Sequence, residues 1–366
     1  MNSLEMNVIE DEDRQIKPSF DEEKTKFQKI ISNSFLHLIL RKFAFYFIVF
    51  FIAITLAFLI PRMVPGNPLD YLETLSENLS EVHKAAIRAR LEYLFGIDKP
   101  IWVQYGRFLE GFFLHFDFGV SINLDTPAVP VVDLILPRLP FTLMLAIPTL
   151  IVTFFLGNWI GAWVGYKETT PRKIVYYIVL IFSAVPFYWF AYVLTDIFVM
   201  RLGFFPHPYT SVPEWAWRWD VILSIMSKFW LPFILLILVN TGGWSTGARS
   251  MMIYERGSDY ILYSQKLGFK ESKLRKYAYR NSILPQFTGL NLSFNNIIGQ
   301  TVVLEMVLHW PGIGLTMFSA FQINDYALII GTFVVIIFVV VIGNFLIDIS
   351  YGLLDPRIRI GGSEVT

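Results

Sequence analysis

Residues 43–61 form a nearly uncharged apolar run, FAFYFIVFFIAITLAFLIP, roughly long enough to cross the ~30 Å hydrocarbon core of a bilayer as a helix. Further runs of this kind fall at 139–164, 174–200, 229–253, 286–308 and 327–349. The chain therefore reads as an all-α membrane protein. Composition agrees, with 54% hydrophobic residues and only 16% charged, against about a quarter in an average soluble protein. There is no cysteine, which removes disulfides, thiolate metal sites and cysteine nucleophiles together. The formal net charge is zero and the basic clusters flank the apolar runs, which argues against a nucleic-acid partner.

Basic residues fall on alternate sides of these runs. Arg41 and Lys42 precede the first, YKETTPRK follows the second, and Arg249 and Arg256 lie at the end of the fourth. The loop 309–326 has no Lys or Arg, and the basic residues of the loop 201–228 are offset by acidic ones. The positive-inside rule then gives six spans with both termini cytoplasmic, an alternation that five or seven spans would break. Residues 1–26 are acid-rich without a signal-peptide layout and read as a flexible cytoplasmic tail. Phe27, Ile30, Ile31, Phe35, Leu38 and Ile39 recur at helical spacing, so 27–42 reads as an interfacial elbow helix before span one. Residues 62–138 are too polar for lipid and form an expected extracytoplasmic insert. Within it a soluble helix covers SEVHKAAIRARLEYLFG, capped by Asn78 or Ser80 and stopped by Gly96, and the aromatic stretch WVQYGRFLEGFFLHFDFG follows. Aromatics at FFPHPY and PEWAWRWD suit an interfacial belt.

The loop 254–285 between spans four and five is long and rich in helix formers. Arg256, Lys266, Lys270, Lys273, Arg275, Lys276 and Arg280 mark it as cytoplasmic. Gly268 is a joint and Pro285 opens the next span. Such a loop is a folded surface for a partner; the plainer alternative is a solvated amphipathic connection. Its pattern of Asp259-Tyr260-Ile261, Gly268 and Ile283-Leu284-Pro285 resembles the cytoplasmic "EAA" loop of permease subunits of binding-protein-dependent ABC importers. The Asp-Tyr-Ile triplet looks like the variant of the oligopeptide/dipeptide/nickel branch. Gly96 to Leu109 is similar to that branch's GxDxPxxxQYxxFL stretch, and GQTVVLEMVLHWPGIG to its ExVFxxPGxG segment. Asn344 and Asp348, followed by Leu354-Asp355-Pro356-Arg357, resemble its carboxy-terminal signature.

The resemblance implies a six-helix ABC importer permease fold with spans two to six over 139–356 and a cytoplasmic tail over 357–366. It also implies coupling helices that dock in a groove of a cytoplasmic ATPase, through Asp259, Tyr260, Ile261, Lys266, Leu267, Gly268, Phe269, Ile283 and Pro285. The implied partners are a second homologous permease subunit, two cytoplasmic ABC ATPases that bind ATP and Mg, and an extracytoplasmic solute-binding protein. The implied location is a prokaryotic inner membrane. Peptides, nickel chelates and plant-wall oligosaccharides all remain open as solutes.

Span five is the most polar, with Asn291, Ser293, Asn295, Asn296, Gln300 and Glu305. Asn291 with Asn295 and Asn296 with Gln300 are i,i+4 pairs, so the amides share a broad stripe. A stripe at membrane depth lines a translocation pathway or makes interhelical hydrogen bonds worth only about 1 kcal/mol each. Glu305, near the outer boundary, would meet a cationic solute group or pair with an outer-loop arginine, the second being favoured. Asp196 is a single acid near the outer end of span three, weak support for an ion-coupled carrier. Asn344 and Asp348 are expected to cap the end of span six, anchored by Arg357 and Arg359.

Gly243-Trp244-Ser245-Thr246-Gly247 fits the G-x-S-x-G of hydrolases, yet Ser245 falls roughly 20 Å into span four. His37, His83, His115, His207 and His309 all lie outside the spans at that depth, so close helix packing by small residues is the better account. No GxxxxGK[ST] phosphate loop occurs, and the dispersed histidines give no metal site. No catalytic, cofactor-binding or metal-binding residue is expected in this chain. The rival functions are a stand-alone carrier or channel and an intramembrane hydrolase.

Overall fold

The computed structural model describes residues 20–63, 99–121, 129–206 and 219–354. The helix read within 80–96, residues 1–19 of the acidic tail, most of PEWAWRWD, the end of FFPHPY and the signature residues 355–359 lie outside the described residues; residues 20–26, expected as part of the flexible tail, are helical. The chain divides into two compact units, residues 1–49 with 345–366 and residues 50–344.

Helix α1, Phe20–Met63, runs for 44 residues without a break. It contains no glycine, and its only proline, Pro61, sits in the last turn. Nothing in the sequence can therefore interrupt it. The boundary expected between an elbow helix ending at 42 and a span starting at 43 is not a break. In the first unit, Lys42 Nζ lies 2.6 Å from Asp348 Oδ2, and the Tyr46 hydroxyl donates to the same oxygen at 3.0 Å. Phe345 presents its ring edge-on to Phe43 and Tyr46. Asp348, expected to cap its own helix, is held from α1; the Arg357 and Arg359 expected to anchor that end lie outside the described residues.

The second unit continues with α2 (Ile101–Glu110), a π-helical turn (Gly111–His115) and a two-residue hairpin in which Val120 pairs with Pro130 and Ser121 with Val129. Then come α3 (Val131–Ile135), α4 (Leu139–Tyr166), α5 (Thr170–Ala184) and α6 (Phe187–Thr195), the last leading into a π-helical turn over Asp196–Arg201. Helix α7 covers Trp219–Arg256, α8 Asp259–Lys266, α9 Glu271–Ile283 and α10 Leu290–Val307, with a 3₁₀ turn, Leu284–Gly289, before α10. Helices α11 (Ile313–Gln322) and α12 (Tyr326–Leu354) follow.

Among the described residues four helices are long and apolar enough to cross a membrane: the 39–63 part of α1, α4, α7 and α12. Span three, expected to be one helix, is broken. Helices α5 and α6 meet at a 96° bend. Pro186 has no N–H to continue the ladder, and it holds Val185 in extended backbone at ψ 133°. Asp196 pairs with Arg201, at the start of the expected outer loop, at 2.7 Å. Span four is longer than expected, because α7 starts at Trp219, inside the expected outer loop. The loop after span five holds a helix of its own, α11.

Among the described residues α4 and α7 make the most extensive helix–helix contact. Gly157, Gly161 and Gly165 recur every four residues on α4 and bring the backbones together. A Cβ at Gly161 would lie 2.9 Å from the Ala248 Cβ and closer still to the Ser245 carbonyl. This packing is how helices associate where lipid is as apolar as their side chains. Ser245, fully buried in mid-helix, sits in this seam rather than on a strand-to-helix elbow. Phe141 and Leu145 of α4, Phe229 and Leu235 of α7, Leu304 of α10 and Trp310 close a core beside it.

Candidate functional site

The loop between α7 and α10 folds as a helical hairpin with an inner and an outer side. Ser258 precedes α8, and Asp259 places a carboxylate in its first turn, where the helix dipole favours it. Ile261 is 3% exposed and packs with Ala162 of α4, Met252 of α7 and Ala278 of α9. On α9, Leu274, Ala278 and Ser282 are buried at i, i+4 and i+8, the stripe that seats this helix on the bundle. A hydrogen-bond chain braces the hairpin: Asn281 Nδ2 donates to the Tyr260 hydroxyl at 2.8 Å, which donates to Glu255 Oε2 at 2.5 Å. Burial and the Glu255 carboxylate push the Tyr260 phenol above its ordinary range, so it remains a donor at neutral pH.

The joint between α8 and α9 is a Schellman cap. Gly268 has φ +78°, its N–H donates to the Gln265 carbonyl, and the Phe269 N–H reaches back to Ser264. Outside this joint the hairpin exposes large apolar side chains: Tyr263 at 64%, Leu267 at 58% and Phe269 at 44%. Leu262 and Tyr277 are also exposed, and so are Lys266, Lys270, Lys273 and Lys276 around them. Lys273 lies over the Phe269 ring.

Helix α10 divides its polar residues between two sides. Asn344 of α12 donates to Asn295 Oδ1 at 2.9 Å, and Asn240 of α7 donates to Gln300 Oε1 at 2.6 Å. Asn291 is half-buried, and Leu292, Asn295, Asn296 and Gly299 form an open face. A Cβ at Gly299 would meet nothing within 4 Å. Glu305 is on the other side and fully buried. Its Oε2 accepts the Gly314 N–H at 2.6 Å, in the first turn of α11. The Ile313 N–H is taken by Thr142 Oγ1, and Trp310 Nε1 donates to the Phe141 carbonyl, both at 3.0 Å. Gly312 is required here, since any Cβ would collide with the Glu305 carboxylate. Glu305 therefore folds the PGIG loop back as the N-terminal cap of α11. The arginine partner expected for it is not there among the described residues, and its burial takes it out of any open pathway in this conformation.

Residues 157–360, which include the hairpin and α10, match the profile of the family described as binding-protein-dependent transport system inner membrane component. The chain belongs to this family. It is a permease subunit of an ABC importer. The oligopeptide transport system permease protein AppB of Bacillus subtilis is 33% identical over 309 residues, covering 83% of this chain and 93% of that protein. A putative peptide transport system permease protein of Brucella abortus is 30% identical over 328 residues, covering 88% and 98%. The dipeptide transport system permease protein DppB of Escherichia coli K12 is 26% identical over 330 residues, covering 84% and 95%.

In this permease the residues expected to couple to an ATPase divide by direction. Leu267 and Phe269 face out beside Gly268, with Asp259, Lys266 and Pro285 also exposed. Ile261 is an inward anchor, Tyr260 a brace, and Ile283 is half-buried at the end of α9. Tyr263 and Tyr277 of the outer side, and Asn281 and Glu255 of the brace, were missed. Tyr263 and Leu267 were detectable as an i,i+4 apolar pair. Asn240 and Asn344, which meet the α10 amides, carried a weaker signal: each is a lone amide in an otherwise apolar span.

Proposed function

We propose that this permease forms half of the translocation pathway of an ATP-driven importer for oligopeptides or dipeptides delivered by an extracytoplasmic binding protein. Its partners are a second, homologous permease subunit and two cytoplasmic ABC ATPases, which bind the ATP and Mg. Both termini lie in the cytoplasm, and no covalent chemistry takes place in this chain. The observation that carries the reading is the braced α8–α9 hairpin, whose outer side exposes Tyr263, Leu267 and Phe269 among lysines. An apolar patch with a basic rim on an aqueous loop is a docking surface. The Schellman joint at Gly268 keeps α8 and α9 at a fixed angle, so motion of the ATPases reaches α7 and α10 as a lever. Peptides are the solute supported by the names of the relatives, and Asn295, Asn296 and Gly299 are the part of α10 open to them.

Gentle purification of the tagged chain from its native membrane, with its companions identified by mass, tests this. Two ATPase chains, a second multi-span subunit and a peptide-loaded binding protein are expected. Recovery of the chain alone, with nucleotide-independent flux after reconstitution, would replace the reading with a carrier or channel. A co-purifying binding protein loaded with an oligosaccharide would keep the importer and change the solute.

A further inference from the structure

The end of α1, helix α2 and the start of α12 line an open cavity of about 180 Å³, with Phe58, Arg62, Lys99, Gln104, Arg107 and Asp117 among its walls. That volume suits several waters or one tetrahedral anion. Among the charged lining residues three are cations and one is a carboxylate. Asp117 already accepts the Gly119 N–H at Oδ1. Arg62 is fixed in place. Its Nε and one terminal nitrogen donate to Gln104 Oε1, both at 3.2 Å, and the other terminal nitrogen donates to the Phe58 carbonyl at 2.8 Å. Its guanidinium lies 3.6 Å from the centroid of the Phe58 ring. These bonds use three of the five guanidinium donors. The remaining two have no partner among the described residues, and Arg62 has no carboxylate there. Arg107, exposed at the cavity mouth, likewise makes no hydrogen bond or ion pair with the described residues.

A half-buried arginine held in place with two donors to spare, joined by a second arginine, recognises phosphate oxygens. The position identifies which phosphate. The cavity sits where α1 leaves its apolar segment, and the flank of the same helix carries an exposed apolar ridge of Ile52, Leu56, Ile60 and Met63. Trp102, 72% exposed at the start of α2, supplies an interfacial aromatic. We propose that the pocket between α1 and α2 binds the phosphate of an anionic phospholipid, whose acyl chains lie along the Ile52–Met63 ridge. The lipid ties the insert to the first span, and its binding requires no particular transported solute.

The test is native mass spectrometry of the purified complex with added phosphatidylglycerol, phosphatidylethanolamine or inorganic phosphate. Phosphatidylglycerol should be retained in preference to phosphatidylethanolamine, and millimolar inorganic phosphate should not displace it. Removing each arginine should weaken retention about fivefold, as expected for one basic side chain at an anionic headgroup. Arg62→Gln with Arg107→Gln would lose it, whereas Arg62→Lys with Arg107→Lys would keep most of it. If the double variant does not assemble, Arg107→Gln decides alone, because that side chain supports no bond among the described residues. Equal lipid retention by Arg107→Gln and the unaltered complex would overturn the proposal. So would displacement by inorganic phosphate, which would make the site one for a free anion. Unchanged lipid with weakened docking of the binding protein would assign the pocket to a protein partner instead.

Discussion

Gly161→Ala should destabilise the permease, whereas Gly243→Ala should not. The two glycines lie in the paired helices α4 and α7 and differ in what a methyl group would meet. At Gly161 the added Cβ lies 2.9 Å from both the Ala248 Cβ and the Arg249 nitrogen, and nearer still to the Ser245 carbonyl. Ordinary contact starts at 3.4 Å, so the helices must part by about 0.5 Å or more along the whole glycine seam. None of these atoms is the end of a flexible side chain. Overpacking of this kind costs about 1–3 kcal/mol. Alanine returns about 1 kcal/mol through helix propensity, so a clash with backbone atoms, at the upper end of that cost, leaves a net loss of up to about 2 kcal/mol. At Gly243 nothing lies within 4 Å, so only the propensity gain remains. Thermal unfolding of the detergent-solubilised complex, read as loss of the monodisperse peak after heating, compares the two directly. A lower midpoint for Gly161→Ala with an unchanged or higher one for Gly243→Ala is expected. Equal midpoints would refute the argument that backbone contact at Gly161 sets the separation of α4 and α7.

Gly268 is constrained by conformation and not by space, since its φ is +78° and a Cβ added there would meet nothing within 4 Å. Gly268→Leu should therefore leave membrane insertion and assembly intact while lowering both uptake and binding-protein-stimulated ATPase activity, with Gly268→Asn milder because Asn tolerates left-handed backbone at less than the usual ~1–2 kcal/mol; equal effects from the two would remove the joint from the mechanism. Ser245→Ala should leave uptake unchanged and the midpoint equal or slightly raised, because the buried Ser245 Oγ has no hydrogen-bond partner among the described residues; abolished activity would revive the hydrolase. Lys173, 3.1 Å away, and Arg249 hold the Glu168 carboxyl below its ordinary range, so the folded state keeps this charge at lower pH than the unfolded chain does. The stability from this pair is complete above the ordinary 4.5 and is lost as pH falls below it. The midpoint difference between the unaltered complex and Glu168→Gln, measured from pH 7 down to pH 4, should then shrink towards the acid end; a gap that widens there would contradict the assignment.

What the sequence discloses in this permease is what a single helix discloses by itself. The length and apolarity of α4 and α12 come from uninterrupted runs, and the left-handed joint at Gly268 comes from one residue type in one place. Pro186 was equally visible, but its consequence was not. Proline within a span can kink a helix slightly or end it, and only the packing around α5 and α6 selects the 96° bend. The direction of side chains in the coupling hairpin was hidden for a similar reason. Ile261 and Leu262 are adjacent apolar residues, yet one turns inward against Ala278 and the other outward. A step of one residue rotates about 100° around a helix, so register against the neighbouring helix decides, and that register is tertiary. The amides of α10 make the same point for function. Their spacing alone could not separate lining from packing, and the partners that divide them lie 49 and 60 residues away in sequence. Gln300 is engaged by Asn240 and Glu305 is committed to capping α11, whereas Asn296 and Gly299 remain on the open face. If α10 lines a pathway, solute selectivity should respond to Asn296 and to the bulk tolerated at Gly299, and Glu305 should act through the shape of the α11 loop.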